Sequence, residues 1–105
     1  MLTAATRQMG TLLGSGIPLT ETLKAMIEQA ESRSAETMFR EIRERVNQGT
    51  ALAEAFSEHP YMFSELYVNM VRAGEATGNV DVVLRRLADY LQSQRTLRRK
   101  VVSAL

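Results

Sequence analysis

The sequence contains no cysteine and no tryptophan, and only one histidine and two prolines in 105 residues. Without cysteine, a disulfide framework and thiolate metal sites are excluded, and with a single histidine a zinc site of the usual kind cannot be assembled. Neither sign of charge prevails. Thirteen Lys and Arg against 12 Asp and Glu leave a net charge of +1, which exerts no global pull on nucleic acid. No run approaches the ~18 apolar residues of a membrane helix, and no leader is expected, because Met1 is followed by a polar amphipathic segment. Strand signals are missing as well, since no segment alternates for long and β-branched residues do not cluster. The patterns G-x-x-x-x-G-K-[ST], G-x-G-x-x-G, G-x-S-x-G and H-E-x-x-H are all absent. That removes the phosphate cradle, the dinucleotide turn, the nucleophile elbow and the zinc-protease helix. An enzyme is not expected.

What is present is a helical pattern. A chain that is 45% hydrophobic and 24% charged is globular, and its length suits one domain or a piece of a larger protein. With three Phe and three Tyr, the core must come from Leu, Val, Ile, Ala and six Met, and Met9, Met26, Met38 and Met70 sit at core spacing. Helical periodicity appears six times. Leu2, Ala5, Met9, Leu12 and Leu13 share a face that ends at Gly14-Ser15-Gly16. Pro18 opens a second helix with the stripe Leu19, Leu23, Met26, Ile27 and Ala30. Ser34 is placed to cap a third, with Ala35, Met38, Phe39, Ile42 and Val46 inside and Glu36–Arg40 and Glu41–Arg45 paired outside. Thr50 is placed to cap a short fourth helix bearing Leu52, Ala55 and Phe56, which ends at His59-Pro60, with His59 an exposed or capping loop residue. Ser64 caps the fifth, whose stripe is Phe63, Leu66, Tyr67, Met70, Val71 and Gly74. The sixth carries Val80, Val83, Leu84, Leu87 and Leu91. Six helices with short connections predict an all-α, compact bundle of antiparallel neighbours over residues 1–91.

The most densely specified stretch is LYVNMVRAGEATGNVDVVLRRLADYL, Leu66 to Leu91. Gly78 is the left-handed end of the fifth helix, Asn79 caps the sixth, and Asp81 places a negative charge in its first turn. Gly74 permits close packing. Glu75, Asn79 and Asp81 offer oxygens within one turn, a thin set beside the ~6–8 that calcium takes. Capping and solvation account for most of this turn, and Glu75 is the residue they do not explain. Beyond Leu91, residues 92–105 hold Arg95, Arg98, Arg99 and Lys100 with no acid, then Val101, Val102, Ala104 and Leu105. The last helix therefore leaves the bundle as a basic stalk. Three readings stand: a solvated helix end, a juxtamembrane flank before a membrane helix, or an arm for nucleic acid, for which aromatic interleaving is lacking.

These residues carry a resemblance. The Leu66–Leu91 run is similar to the signature of the type II secretion system protein F family, which includes platform proteins of type IV pilus assembly. TRQMGTLLGSGIPLTETLKAM, Thr6 to Met26, resembles the family's other marked stretch, and GTALAEAFSEHPYMFSELY, Gly49 to Tyr67, fits between them. The resemblance implies the first of two cytoplasmic helical domains of a bacterial inner-membrane protein, cut just before its first membrane helix. It implies a non-enzymatic, self-associating platform that couples a secretion ATPase to assembly of a pseudopilus or pilus, with no required cofactor and no nucleic acid partner. The AGE…G…D pattern leans toward the secretion branch. It also implies calcium held between domain copies at the positions of Glu21, Glu75 and Asn79, where Asn79 supplies an amide in place of a carboxylate. A soluble helical nucleic-acid-binding or regulatory domain using Arg95 to Lys100 is the rival from a different class.

Overall fold

A computed structural model of the chain describes residues 1–104. It is an all-α bundle of six helices: α1 (Leu2–Gly14), α2 (Leu19–Glu28), α3 (Arg33–Asn47), α4 (Leu52–Ser57), α5 (Glu65–Thr77) and α6 (Val80–Ala104). Each helix packs on the next in sequence, and α1 against α6 closes the ring with the most extensive interface of all. The core takes Met9 from α1, Leu23 and Met26 from α2, Met38, Phe39 and Ile42 from α3, and Leu52 and Phe56 from α4. Tyr67 and Val71 from α5 and Leu84 and Leu87 from α6 complete it. Three of the six aromatics are gathered in one place. Phe56 and Phe63 stack with ring centroids 4.2 Å apart, and Tyr67 meets the first edge-on at 5.6 Å. This cluster fixes α4, the following loop and α5 together, a geometry that adds to simple burial.

The α1–α6 crossing rests on a small residue. A Cβ at Gly10 would lie 2.9 Å from Arg85 Cγ and 3.3 Å from the Asp81 carbonyl oxygen. Glycine there lets the two backbones approach, and Arg85 Nη1 donates to the Gly10 carbonyl at 3.1 Å across the gap. Arg7 and Asp89 pair at 2.9 Å farther along the same crossing. Inside, Thr6 Oγ1 and the Tyr67 hydroxyl share a buried hydrogen bond of 2.7 Å, linking α1 to α5. Burial pushes the Tyr67 phenol far above its ordinary range, so it stays a neutral hydrogen-bonding group.

Several local expectations need correction. Ser32, not Ser34, caps α3: its Oγ accepts from the Ala35 N–H at 3.0 Å, and Ser34 lies inside the helix. Arg40 pairs with Glu36 at 2.7 Å as expected. Arg45, by contrast, reaches across to Glu58 at 2.6 Å, because the carboxylate at the end of α4 allows a fork that Glu41 does not. Glu41 instead faces His59, with 3.5 Å between Oε2 and Nε2. His59 is not exposed. It is 7% accessible, tucked between Glu41 and Tyr61, because the loop after α4 folds back beneath α3. Leu66 is 49% exposed and Val68 takes the inward position, since α5 is rotated to direct Tyr67 and Val71 at the core.

Candidate functional site: the α5–α6 turn, Glu75 and the end of α6

Helix α5 ends as its glycines predict. Gly78 has φ +73 and ψ 24, the left-handed cap, and the Asn79 N–H returns to the Gly74 carbonyl at 2.8 Å. Gly74 has a second duty. A Cβ there would stand 2.9 Å from a Val83 methyl and 3.3 Å from Val80 Cα, so glycine brings α5 and α6 together at the turn. The Asn79 carbonyl accepts the first bond of α6, from Val83 at 3.0 Å. Its side chain does not cap, however. Nδ2 donates to Thr77 Oγ1 at 3.2 Å, because the reversal at Gly78 leaves that hydroxyl nearest. Asp81 lies in the first turn of α6 and pairs with Arg85 at 3.4 Å, holding the arginine that bridges to α1.

Glu75 turns away from this group. One carboxylate oxygen accepts the Leu52 N–H at 2.8 Å, and the other accepts the Ala53 N–H at 2.9 Å. These are the first two amides of α4, which would otherwise lack partners. Thr50, expected as the cap, makes no such bond, and Ala51 stands at the N-cap with no side chain to offer. The carboxylate thus meets the positive end of α4 with both oxygens, an arrangement favourable to negative charge. No sequence pattern near α4 signals it, since donor and acceptor stand 22 and 23 residues apart.

The residues implied for calcium are not assembled within one copy. Glu21 is exposed in the first turn of α2, and α2 packs on α1 and α3 but on neither α5 nor α6. Glu75 spends one lone pair of each oxygen on α4, in a field of N–H dipoles that opposes a neighbouring cation. Among the described residues no group of three or more His, Asp or Glu converges. A single copy does not fit the ion.

The end of α6 is the other feature. From Gln92 to Ala104 every described residue is exposed, and the helix continues unbroken past the bundle, so its basic residues project into solvent. Leu105, the last residue of the expected apolar end, lies outside the described residues. No described helix is long and apolar enough to cross a membrane.

The chain is similar to known proteins over nearly its whole length. The family model described as Type II secretion system (T2SS), protein F matches residues 5–105. The chain is 41% identical over 104 residues to the Type II secretion system protein F of Vibrio cholerae, covering 99% of this chain and 26% of that protein. It is 42% identical over 99 residues to the Type IV pilus assembly protein PilC of Thermus thermophilus, covering 94% and 24%. A Type II secretion system protein F from Xanthomonas campestris is 42% identical over 100 residues, covering 95% and 25%. The chain thus spans about a quarter of the length of these relatives.

Proposed function

Because the chain belongs to the type II secretion system protein F family, we propose that it is a non-enzymatic domain of an inner-membrane platform, acting by protein–protein contact. On this reading it transmits force from a secretion ATPase to the assembly of a pseudopilus or pilus. The observation that carries the proposal is the family match over residues 5–105. The bundle's chemistry supports it. The turn residues expected to be special are occupied in structural bonds, with Glu75 on α4 and Asp81 on Arg85. What remains free is surface: the basic end of α6 and the exposed side chains of α5. Identities of 41% to a secretion protein and 42% to a pilus protein favour neither branch, so the proposal rests on their shared platform role.

The test uses the full-length parent protein. Removing residues 2–91 should abolish export of a type II substrate or pilus-dependent motility, whichever the host employs, and restoring the segment should recover it. Retained export and motility after removal overturn the proposal. Any calcium bridge of the kind the resemblance implies joins two copies, because Glu21 does not meet Glu75 and Asn79 within one. Calorimetry with calcium should then show heat that Glu21→Ala removes. An absence of heat with the unaltered chain eliminates the bridge.

A further inference from the structure

An open groove of about 460 Å³ lies between α1 and α6, lined by Thr3, Arg7, Gln8 and Thr11 from the first and Gln92 and Arg95 from the second. Thr3, Arg7 and Thr11 recur at steps of four, so they stand in one row on the wall of α1. A second hollow continues the groove past Thr3 and Arg95 to Arg98. Helix α1 has no acidic residue, and the last in α6 is Asp89, which Arg7 holds at 2.9 Å. The groove is therefore bordered by three guanidinium groups and one carboxylate, and that carboxylate is already paired.

The donors along it divide into those in use and those left over. Gln8 donates to Gln29, and Thr11 donates to the Arg7 carbonyl. Thr3, Gln92 and Arg95 make no side-chain hydrogen bond or ion pair among the described residues. Thr3 is the most telling of the three. It is only 7% exposed, yet it lines both hollows, so the surface it retains opens on the groove. A hydroxyl in a residue buried to that degree ordinarily has a partner.

Donors on two walls select an anion with several oxygens. One guanidinium fork satisfies a carboxylate, whereas a phosphate has oxygens enough for Arg95, Gln92 and Thr3 together. The volume lies in the ~300–1,000 Å³ range of small-molecule sites, which leaves space for the group that the phosphate esterifies. We propose that Thr3, Gln92 and Arg95, with Arg7 beside them, bind a phosphate ester, either free in solution or in the headgroup of an anionic lipid. The inference stands on the donors of the α1–α6 groove and does not depend on the platform role.

The probes are glycerol 3-phosphate and phosphatidylglycerol vesicles, with acetate and phosphatidylcholine vesicles as their controls. Glycerol 3-phosphate, titrated at low salt into the whole isotope-labelled chain, should shift the amide resonances of Thr3, Gln92 and Arg95 saturably. Acetate at equal ionic strength should not. Arg95→Gln should weaken binding about tenfold, through loss of a charge-assisted hydrogen bond. Thr3→Val keeps the buried shape and should weaken it about threefold. Arg99 lies outside both hollows, so Arg99→Gln should leave binding unchanged. Thermal melting of Arg95→Gln should match the unaltered chain, since Arg95 is exposed. Sedimentation with phosphatidylglycerol but not phosphatidylcholine, reduced by Arg95→Gln and competed by glycerol 3-phosphate, identifies the ligand as a lipid headgroup. Saturable ester binding without sedimentation identifies it as a soluble phosphate. Absence of Arg95-dependent binding to both probes overturns the proposal. Equal binding of acetate also overturns it, as does equal weakening by Arg99→Gln, which would reduce the attraction to diffuse charge.

Discussion

Helices α5 and α4 begin in contrasting ways. Ser64 starts α5 and its own Oγ accepts the Tyr67 N–H at 3.2 Å, a cap supplied from within the turn it serves. Helix α4 has no such residue, and its first two amides are held by a carboxylate from the far end of α5. A helix of six residues is too short to persist alone, because nucleation costs more than so few bonds return. The contrast teaches that a long helix can carry its own start, whereas a short one takes its start from the fold around it. It also explains why the conspicuous α5–α6 turn contains a glutamate that the turn itself does not need.

The largest way to break the contrast is Glu75→Ala. It leaves two amides of α4 without a charged acceptor and should cost about 3 kcal/mol, with Tm falling by roughly 10–20 °C for a domain of this size. Glu75→Gln should recover part of the loss, since one amide oxygen remains to accept. If Glu75→Ala melts with the unaltered chain, the long-range cap is unimportant and the comparison collapses. Next is Gly10→Ala, which forces a methyl against Arg85 and the Asp81 carbonyl and should cost about 1–3 kcal/mol. Chemical denaturation reads it, and an unchanged midpoint would mean that α1 and α6 can separate freely. Ser64→Ala should cost only about 1 kcal/mol, the usual worth of a local cap. A loss equal to that of Glu75→Ala would erase the difference between the two helix starts.

The smallest effect belongs to Arg45 and Glu58, a long-range pair on the surface. The guanidinium's hydrogen bond holds the Glu58 carboxyl below its ordinary range. A depressed folded value means that the pair's contribution is present above the unfolded carboxylate value of about 4.3 and is lost as pH falls through the folded one. Glu58→Gln should therefore lower Tm slightly at neutral pH and low salt, and not at all in acid. The difference should also vanish near 1 M salt, where the screening length is about 3 Å. A persistent difference in high salt would show that the pair is better shielded than its exposure suggests.

Most of the bundle was legible. The stripes of α1, α2, α3 and α6 enter the core largely as their spacing predicts, and Gly78 has the left-handed backbone that its place after α5 requires. Three of the errors share a cause. Arg45 leaves its i,i+4 neighbour Glu41 for Glu58, His59 is drawn under α3, and Leu66 yields its place to Val68. Each outcome depends on which surface arrives from a distant part of the chain, and periodicity is blind to that. Glu75 stood out in the sequence as unexplained by its own turn, but its partners, Leu52 and Ala53, could not be named from it.

By itself, then, the sequence determined six helices, their apolar faces, the left-handed end of α5 and the basic, acid-free course of α6 past Leu91. These follow from spacing, from glycine's conformational freedom and from charge, all of which act within a few residues. Only the tertiary structure decided that Gly10 admits Arg85, that Thr6 meets Tyr67 inside the core and that Glu75 holds the start of α4. Those are contacts between groups more than 20 residues apart in the chain, and a hydrogen bond or a close approach exists only once packing has brought its two ends together.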